Sequence, residues 1–456
     1  MEVFSVPVEG KLLLYRPLRH LAFIGNQTMA DLTLEFCRQA EELGGPDRVH
    51  APSGTSQEAV SFLQKTGFLE PDPPPPPPPD CEFHPTSAVL LLTSRCNLRC
   101  TYCYAGGGER PVQDLSPALA RAAIDEVHRN AVEQGKESFE LIFHGGGEPV
   151  QALAVVQEAV AYARSKGLKC RTSMVSNGVW SPRQREWLLQ NMDGIGMSLD
   201  GDPETQNRQR PLASGKGSSQ AVMRSIRKLD DASFPYGVRM TATAPWRGTL
   251  AKDVAFLCEH TKARSIQAEP AFNILRGEHQ GPTQAEAKEF VEAFMDAFEV
   301  ASRAGRQLIY SGARPWLITR TFCRAPYSLL IVNPSGALVG CFEATDEAYP
   351  LIEQCTVGFM DGDGIVLDRD TRSALHETLA QRQAACRGCF CYSHCAGDCY
   401  SRVFAPGVYG PPGSSPRCFM NREITAHMLL WYIANSGGVW RGQGGQPQER
   451  QLMEAF

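Results

Sequence analysis

The chain has 456 residues, with 45 Lys plus Arg against 50 Asp plus Glu and a formal charge of −5, a length that suits about three structural units and a large buried core. A mildly acidic balance without basic runs excludes nucleic acid and an anionic membrane surface as main partners. A hydrophobic content of 43% beside 21% charged residues excludes wholesale disorder.

No run approaches 18 apolar residues, so no membrane span is expected. Met1–Leu14, interrupted by Glu2, Pro7 and Glu9, does not read as a signal peptide. The sixteen cysteines are then expected to be reduced in a cytoplasm, where clustered cysteines read as metal ligands.

In chain order, residues 1–70 form a small α+β module. Lys11–Arg16 and Leu18–Ile24 are strand-like, and Met29–Leu43 and Gln57–Lys65 have helical spacing. Strands followed by helices suit a winged-helix-like binding module or an accessory cap. Residues 71–85 are a linker around Pro73–Pro79, seven prolines that make an extended rod of about 22 Å. The rod is expected to set the module apart from everything after it.

Residues 86–305 alternate strand and helix. The expected strands are Ala88–Thr93, Phe139–His144, Lys169–Val175, Gly194–Leu199, Gly237–Thr243 and Ser265–Phe272. Helices are expected at Pro117–Gln134, Leu153–Lys166, Pro182–Gln190, Ser219–Asp231, Leu250–Lys262 and Gln284–Ala304. Six such repeats imply an α/β fold with a parallel sheet, a partial (β/α)6 barrel with functional groups at the carboxyl ends of its strands. Residues 306–421 lose this regularity and become rich in Cys, Gly and aromatic residues, as if metal clusters replaced a conventional core. Residues 422–456 are a closing helix and a Gly/Gln-rich tail.

The first barrel strand leads into Cys96, Cys100 and Cys103. Three close thiolates with no fourth nearby leave one iron of a cubane cluster open. A zinc site is the alternative, and it wants a fourth ligand close by. The second strand runs into His144-Gly145-Gly146-Gly147-Glu148, where glycines allow close backbone approach and Glu148 can accept from an ammonium. The next two strands end in Ser176-Asn177-Gly178 and Ser198-Leu199-Asp200-Gly201, and Arg210, a possible carboxylate clamp, follows.

These residues resemble the radical SAM superfamily, which cleaves S-adenosylmethionine with a [4Fe–4S] cluster. Cys96, Cys100 and Cys103 match its CxxxCxΦC signature with Tyr102 in the aromatic position, and Gly146-Gly147-Glu148 matches its GGE motif. By this resemblance Tyr102, Gly146, Gly147, Glu148, Ser176, Asn177, Ser198, Asp200 and Arg210 surround S-adenosylmethionine. Cys323, Cys341 and Cys386-x2-Cys389-x5-Cys395-x3-Cys399, followed by Cys418, resemble a SPASM domain with two auxiliary [4Fe–4S] clusters. The resemblance assigns Cys323, Cys341 and Cys399 to the inner cluster, and Cys386, Cys389, Cys395 and Cys418 to the outer.

Some members carry a further inner cysteine about six residues before the one matching Cys323. Leu317 stands there, so the fourth iron is open or closed by Cys355 or another group. Cys37, Cys81, Cys170, Cys258 and Cys391 fit no motif and read as small buried hydrophobes.

The resemblance implies three clusters and a 5′-deoxyadenosyl radical. The expected activity is oxidative modification, by crosslinking, of a ribosomally synthesised precursor peptide, with an external one-electron donor such as a flavodoxin or ferredoxin. Glu269 and Glu343 are the candidate acid/base residues. An anaerobic sulfatase-maturing enzyme is the alternative, but the catalytic Asp that the resemblance implies is here Phe342. An electron-transfer iron–sulfur protein is the alternative of another class.

Overall fold

Ser87–Thr93 is a run of seven buried residues, the pattern of a strand covered on both faces, and the computed structural model places it inside an eleven-stranded sheet. Residues 1–49, 55–80, 82–272, 276, 281–361, 364–404 and 413–442 are described. Cys81 and the end of the Gly/Gln-rich tail lie outside the described residues.

The N-terminal part comprises β1 (Phe4–Val8), β2 (Lys11–Arg16), β3 (Leu21–Gly25), α1 (Gln27–Leu43) and α2 (Thr55–Thr66). Next come β4 (Ser87–Thr93), α3 (Pro117–Glu133), β5 (Ser138–Gly146), α4 (Leu153–Arg164), β6 (Lys169–Ser176), α5 (Pro182–Asn191) and β7 (Gly194–Ser198). The short α6 (Pro203–Gln209) was not anticipated, and α7 (Ser219–Asp231), β8 (Tyr236–Thr243), α8 (Thr249–His260), β9 (Ser265–Ala271) and α9 (Gln284–Arg303) complete the repeats. Strands β4 to β9 pair in parallel, each with the next.

The helices begin where side chains satisfy free backbone donors. Ser116 accepts from Leu119 N ahead of Pro117, while Ser181 with Gln184 and Thr283 with Glu286 form capping boxes. This is the partial (β/α)6 barrel that the sequence implies.

The sheet does not stop there. β10 (Gln307–Ile309) pairs parallel with β9, and β11 (Leu330–Val332) pairs parallel with β4. β12 (Ala337–Val339), β13 (Thr356–Asp361) and β14 (Gly364–Leu367) follow as an antiparallel extension. Leu330, Ile331, Val332 and Leu338 belong to the same core as Val89–Leu92. The expectation that residues after 306 lack a conventional core is therefore corrected: apolar strands too short to register as a period extend the barrel's own core.

The proline run does not set the N-terminal part apart either. β15 (Val439–Arg441) adds antiparallel to β3, making the order β1-β2-β3-β15. Alternation along β2 sends Leu13 and Tyr15 into the main core, and Leu14 into a second core shared with α1 and α2. Trp440 is fully buried and stacks on Tyr432 of the Pro416–Ala434 helix. Arg16, also fully buried, reaches Glu70 O at 2.6 Å and Asp72 Oδ1 at 2.5 Å, and Arg320 Nε donates to Pro76 O at 2.6 Å. No described helix is long and apolar enough to cross a membrane.

Candidate functional site

The loop after β4 holds its three cysteines through its own backbone. Leu98 N donates to Cys96 Sγ and Gly107 N to Cys103 Sγ, both at 3.4 Å. Asn177 Nδ2 approaches Cys96 Sγ at 3.9 Å from the end of β6. Arg276 clamps the outside of the loop, donating to Gly107 O at 3.0 Å and Glu109 Oε2 at 2.8 Å, with Cys100 O as a third acceptor. Burial pushes the Cys96 thiol up to about 12, with Glu148 adding to the effect, and pushes the Cys100 thiol up to about 11. Thiols massed in this way are soft donors that a metal would deprotonate. Among the described residues, no three His, Cys, Asp or Glu side chains converge as they would around a single ion. A cubane spreads its thiolates over separate irons, so the donor set here fits a cluster.

Glu148 lies beside this loop and is 2% exposed. Its carboxylate accepts from Ser176 Oγ at 2.5 Å, Asn177 N at 2.7 Å and Val150 N at 3.4 Å. Despite these bonds, burial pushes the group up to about 7 because no cation contacts it among the described residues. The site thus fits an ammonium-bearing ligand. Gly146 has φ of +76°, and a Cβ at Gly147 would run into the Arg95 carbonyl. The glycines before Glu148 are therefore required by geometry.

Asp200, Tyr102 and Arg210 form one buried unit. Tyr102 Oη donates to Asp200, Arg210 Nε lies 2.9 Å from Asp200 Oδ2, and the guanidinium sits 5.2 Å from the Tyr102 ring centre. Thr241 N and Gln209 Nε2 complete the carboxylate's partners at 2.9 and 3.2 Å. Asp200 thus braces Tyr102 and Arg210. Ser198 ends β7, opposite Arg239 of β8.

Toward the C-terminal cysteines, Tyr104 has the charges of Glu343, Cys103 and Cys341 near it, so the Cys96–Cys103 loop and Cys341 come close to one another. Cys341 neighbours Cys399 and receives Tyr349 Oη at 3.5 Å, while Cys323 receives Ala325 N at 3.4 Å. Cys355 is fully buried and donates instead to Ile352 O at 3.8 Å. Cys386, Cys389, Cys395 and Cys418 line one cavity of about 410 Å³ together with Cys391, Arg382 and Asn421. Asn421 Nδ2 reaches Cys395 Sγ at 3.5 Å and Arg382 Nη2 reaches Cys418 Sγ at 3.6 Å. Cys37 and Cys170 are buried and Cys258 is half-buried.

Neither acid/base candidate is simply solvated. Glu269 accepts from Ser311 N and Oγ at 2.9 and 3.0 Å, and from Gln267 at 3.0 Å. Glu343 pairs with Arg402 at 2.6 Å and accepts from Ser401. Sequence reasoning passed over Arg239, His144 and Tyr104 as interior residues. The available signal was a single charge in the otherwise apolar β8 and a histidine on the face of β5 opposite Phe143. Arg276 gave no signal.

Residues 90–244 match the family described as the radical SAM superfamily. Among curated proteins, the chain is 30% identical over 153 residues to Fe-coproporphyrin III synthase of Methanosarcina barkeri, covering 33% of this chain and 35% of that protein. It is 30% identical over 160 residues to the sporulation killing factor maturation protein SkfB of Bacillus subtilis, covering 34% and 36%. It thus spans about a third of the length of these two relatives. The solved structure of native anSMEcpe with bound AdoMet aligns with a TM-score of 0.59 at 18% identity, covering 77% of this chain and 100% of that one. At that identity the likeness is one of fold.

Proposed function

We propose, from a radical SAM domain joined to a SPASM-type region, that the chain crosslinks a residue of a ribosomally synthesised precursor peptide by radical oxidation. One observation carries the reading: a buried carboxylate, Glu148, without a cation and beside three massed thiols. In this reading Cys96, Cys100 and Cys103 hold the radical cluster, and Glu148 with Ser176 and Asn177 holds the methionyl amine. Gly146 and Gly147 admit its backbone-level approach, and Tyr102, Ser198, Asp200 and Arg210 close the site. Cys323, Cys341 and Cys399 hold an inner auxiliary cluster, and Cys386, Cys389, Cys395 and Cys418 an outer one.

A [4Fe–4S] cluster held by Cys96, Cys100 and Cys103, with S-adenosylmethionine bound beside it, would supply the radical chemistry for removing a substrate hydrogen. The chain's own share is to orient the partners and exclude water. Arg276 and the backbone donors fix the thiols, and Asp200 keeps Arg210 and Tyr102 in place. Tyr104 spans the gap toward Cys341, and Glu269 and Glu343 are the carboxylates within reach of the barrel interior for a departing proton. Native anSMEcpe has been solved with AdoMet and the Kp18Cys peptide, and SkfB is a maturation protein; both support a peptide substrate here.

A flavodoxin or ferredoxin is the expected electron donor, and the cytoplasm is the compartment that keeps these thiols reduced. The test is anaerobic incubation of the reconstituted, reduced enzyme with S-adenosylmethionine and candidate precursor peptides. The reading expects deoxyadenosine and a peptide two hydrogens lighter. Absence of deoxyadenosine from an enzyme carrying its full iron complement refutes it.

A further inference from the structure

The barrel holds a guanidinium, that of Arg239, which makes no direct contact with a carboxylate among the described residues. Along β8, Val238, Met240 and Ala242 are buried in the core, the last two against Trp246 and Leu250. Alternation therefore turns Arg239 and Thr241 the other way, into the barrel. Burial lowers the pKa of Arg239, and the charges near enough to act on it are those of Glu269, Tyr104, Arg210 and Cys323. Among the described residues its guanidinium makes no hydrogen bond or ion pair. Glu269, two residues beyond Gln267, the register partner of Arg239, is held by Ser311 and Gln267.

His144 is in a similar position. It ends the interior face of β5, its ring lies 5.0 Å from Phe342, and its Nδ1 is buried without a hydrogen-bond partner. Burial and the charge of Arg239 hold it down to about 3, so it is neutral. A guanidinium carries five donors, and one that is half-buried with none of them bonded among the described residues is free to take an anion.

We propose that Arg239, with His144 of β5 as a second polar group, binds a carboxylate of the substrate, so that the substrate is a peptide presenting an acidic side chain or its C-terminal carboxylate inside the barrel. This rests on the peptide reading above. The planar guanidinium suits a carboxylate bidentately, and the neutral imidazole adds a hydrogen bond without a competing charge. Tyr104, next to Cys103 in the chain, and Cys323 are both near enough to act on Arg239, which puts the bound group near both cysteine sets. Arg210, paired with Asp200 near Cys100, is the separate guanidinium on the S-adenosylmethionine side.

The test is equilibrium dialysis of the full-length, anaerobically reconstituted enzyme with S-adenosylmethionine against three probes. These are acetyl-Ala-Glu-Ala-amide, acetyl-Ala-Gln-Ala-amide and acetyl-Ala-Gln-Ala with a free C-terminus. The wild type is expected to bind at least one carboxylate probe about ten-fold or more tighter than the neutral amide. Whichever of the two is preferred identifies the source of the carboxylate. Arg239→Met is expected to abolish the preference. Arg239→Lys, which keeps a point charge and guards against a folding defect in the methionine variant, should retain part of it.

Equal binding of the three probes to wild type, or no binding of any, overturns the proposal. So does a preference that survives in Arg239→Met while affinity for S-adenosylmethionine falls ten-fold, because Arg239 would then belong to the cofactor. If wild type shows the preference but forms no deoxyadenosine, the carboxylate site stands and the maturase reading fails.

Discussion

Replacing Glu148 by Gln keeps the shape of the side chain and removes its charge, and two opposite effects follow from the same burial. A carboxyl that ionises near 7 instead of at its ordinary 4.5 disfavours the ligand-free fold by roughly 3 kcal/mol once the pH is well above 7. Its folded-state value is raised, so its stabilising contribution is complete below pH 4.5 and is lost as the pH rises through 7. The melting temperature of the glutamine variant relative to wild type, both without S-adenosylmethionine, should therefore rise between pH 5 and pH 8.

Ligand binding moves the other way. Removing one member of a buried hydrogen-bonded charge pair typically costs about 2–5 kcal/mol, which is a loss of about 30-fold or more in affinity. Equilibrium dialysis with labelled S-adenosylmethionine on the reconstituted enzyme measures it. In wild type the same affinity should weaken by up to roughly ten-fold per unit below pH 7, because the carboxyl must first release its proton. Affinity unchanged in Glu148→Gln would refute the assignment of the amine to this carboxylate.

The barrel was legible because its signals are local. Each of the six strands is a short apolar run ahead of a polar cluster, and caps such as Ser181 and Thr283 lie next to the helices that they start. The cysteine loop and Glu148 were legible for the same reason. The pairing of β15 with β3 was not, because three residues near the C-terminus carry no period, and their partner lies more than 400 positions earlier in the chain. The partners of Asp200 were not legible for a related reason. Its position at a strand end suggests an open ligand, but Tyr102, Gln209 and Thr241 reach it from three separate segments. Arg239 is the instructive case: one charge in an eight-residue strand is easily taken for a solvated edge, and the alternation of buried neighbours that sets its face shows only in the folded strand.

Three further outcomes are expected. Replacing Cys96, Cys100 and Cys103 together with Ala should abolish deoxyadenosine formation and leave about eight of about twelve irons; persistent deoxyadenosine refutes the assignment. Trp440→Ala should destabilise the fold by about 3–5 kcal/mol in denaturant unfolding, since the ring is fully buried against Tyr432; a change under 1 kcal/mol would mean that β15 does not close the N-terminal sheet. The last concerns the inner auxiliary set, where three cysteines leave a cubane with one iron lacking a thiolate. Cys355 is a spare cysteine 14 positions after Cys341, but its thiol points to the Ile352 carbonyl at 3.8 Å, and burial pushes it up to about 12. Cys341, in contrast, has Cys399 and Glu343 beside it and the Tyr349 hydroxyl at 3.5 Å. Cys355→Ala should therefore keep its iron content and cluster spectrum, whereas Cys341→Ala should lose about four irons. Tyr349→Phe should keep the irons and change the spectrum, because it removes a hydrogen bond from a ligand sulfur. Loss of about four irons in Cys355→Ala would show that this thiol turns to close the cluster, and that the hydrogen bond to Ile352 belongs only to the cluster-free chain.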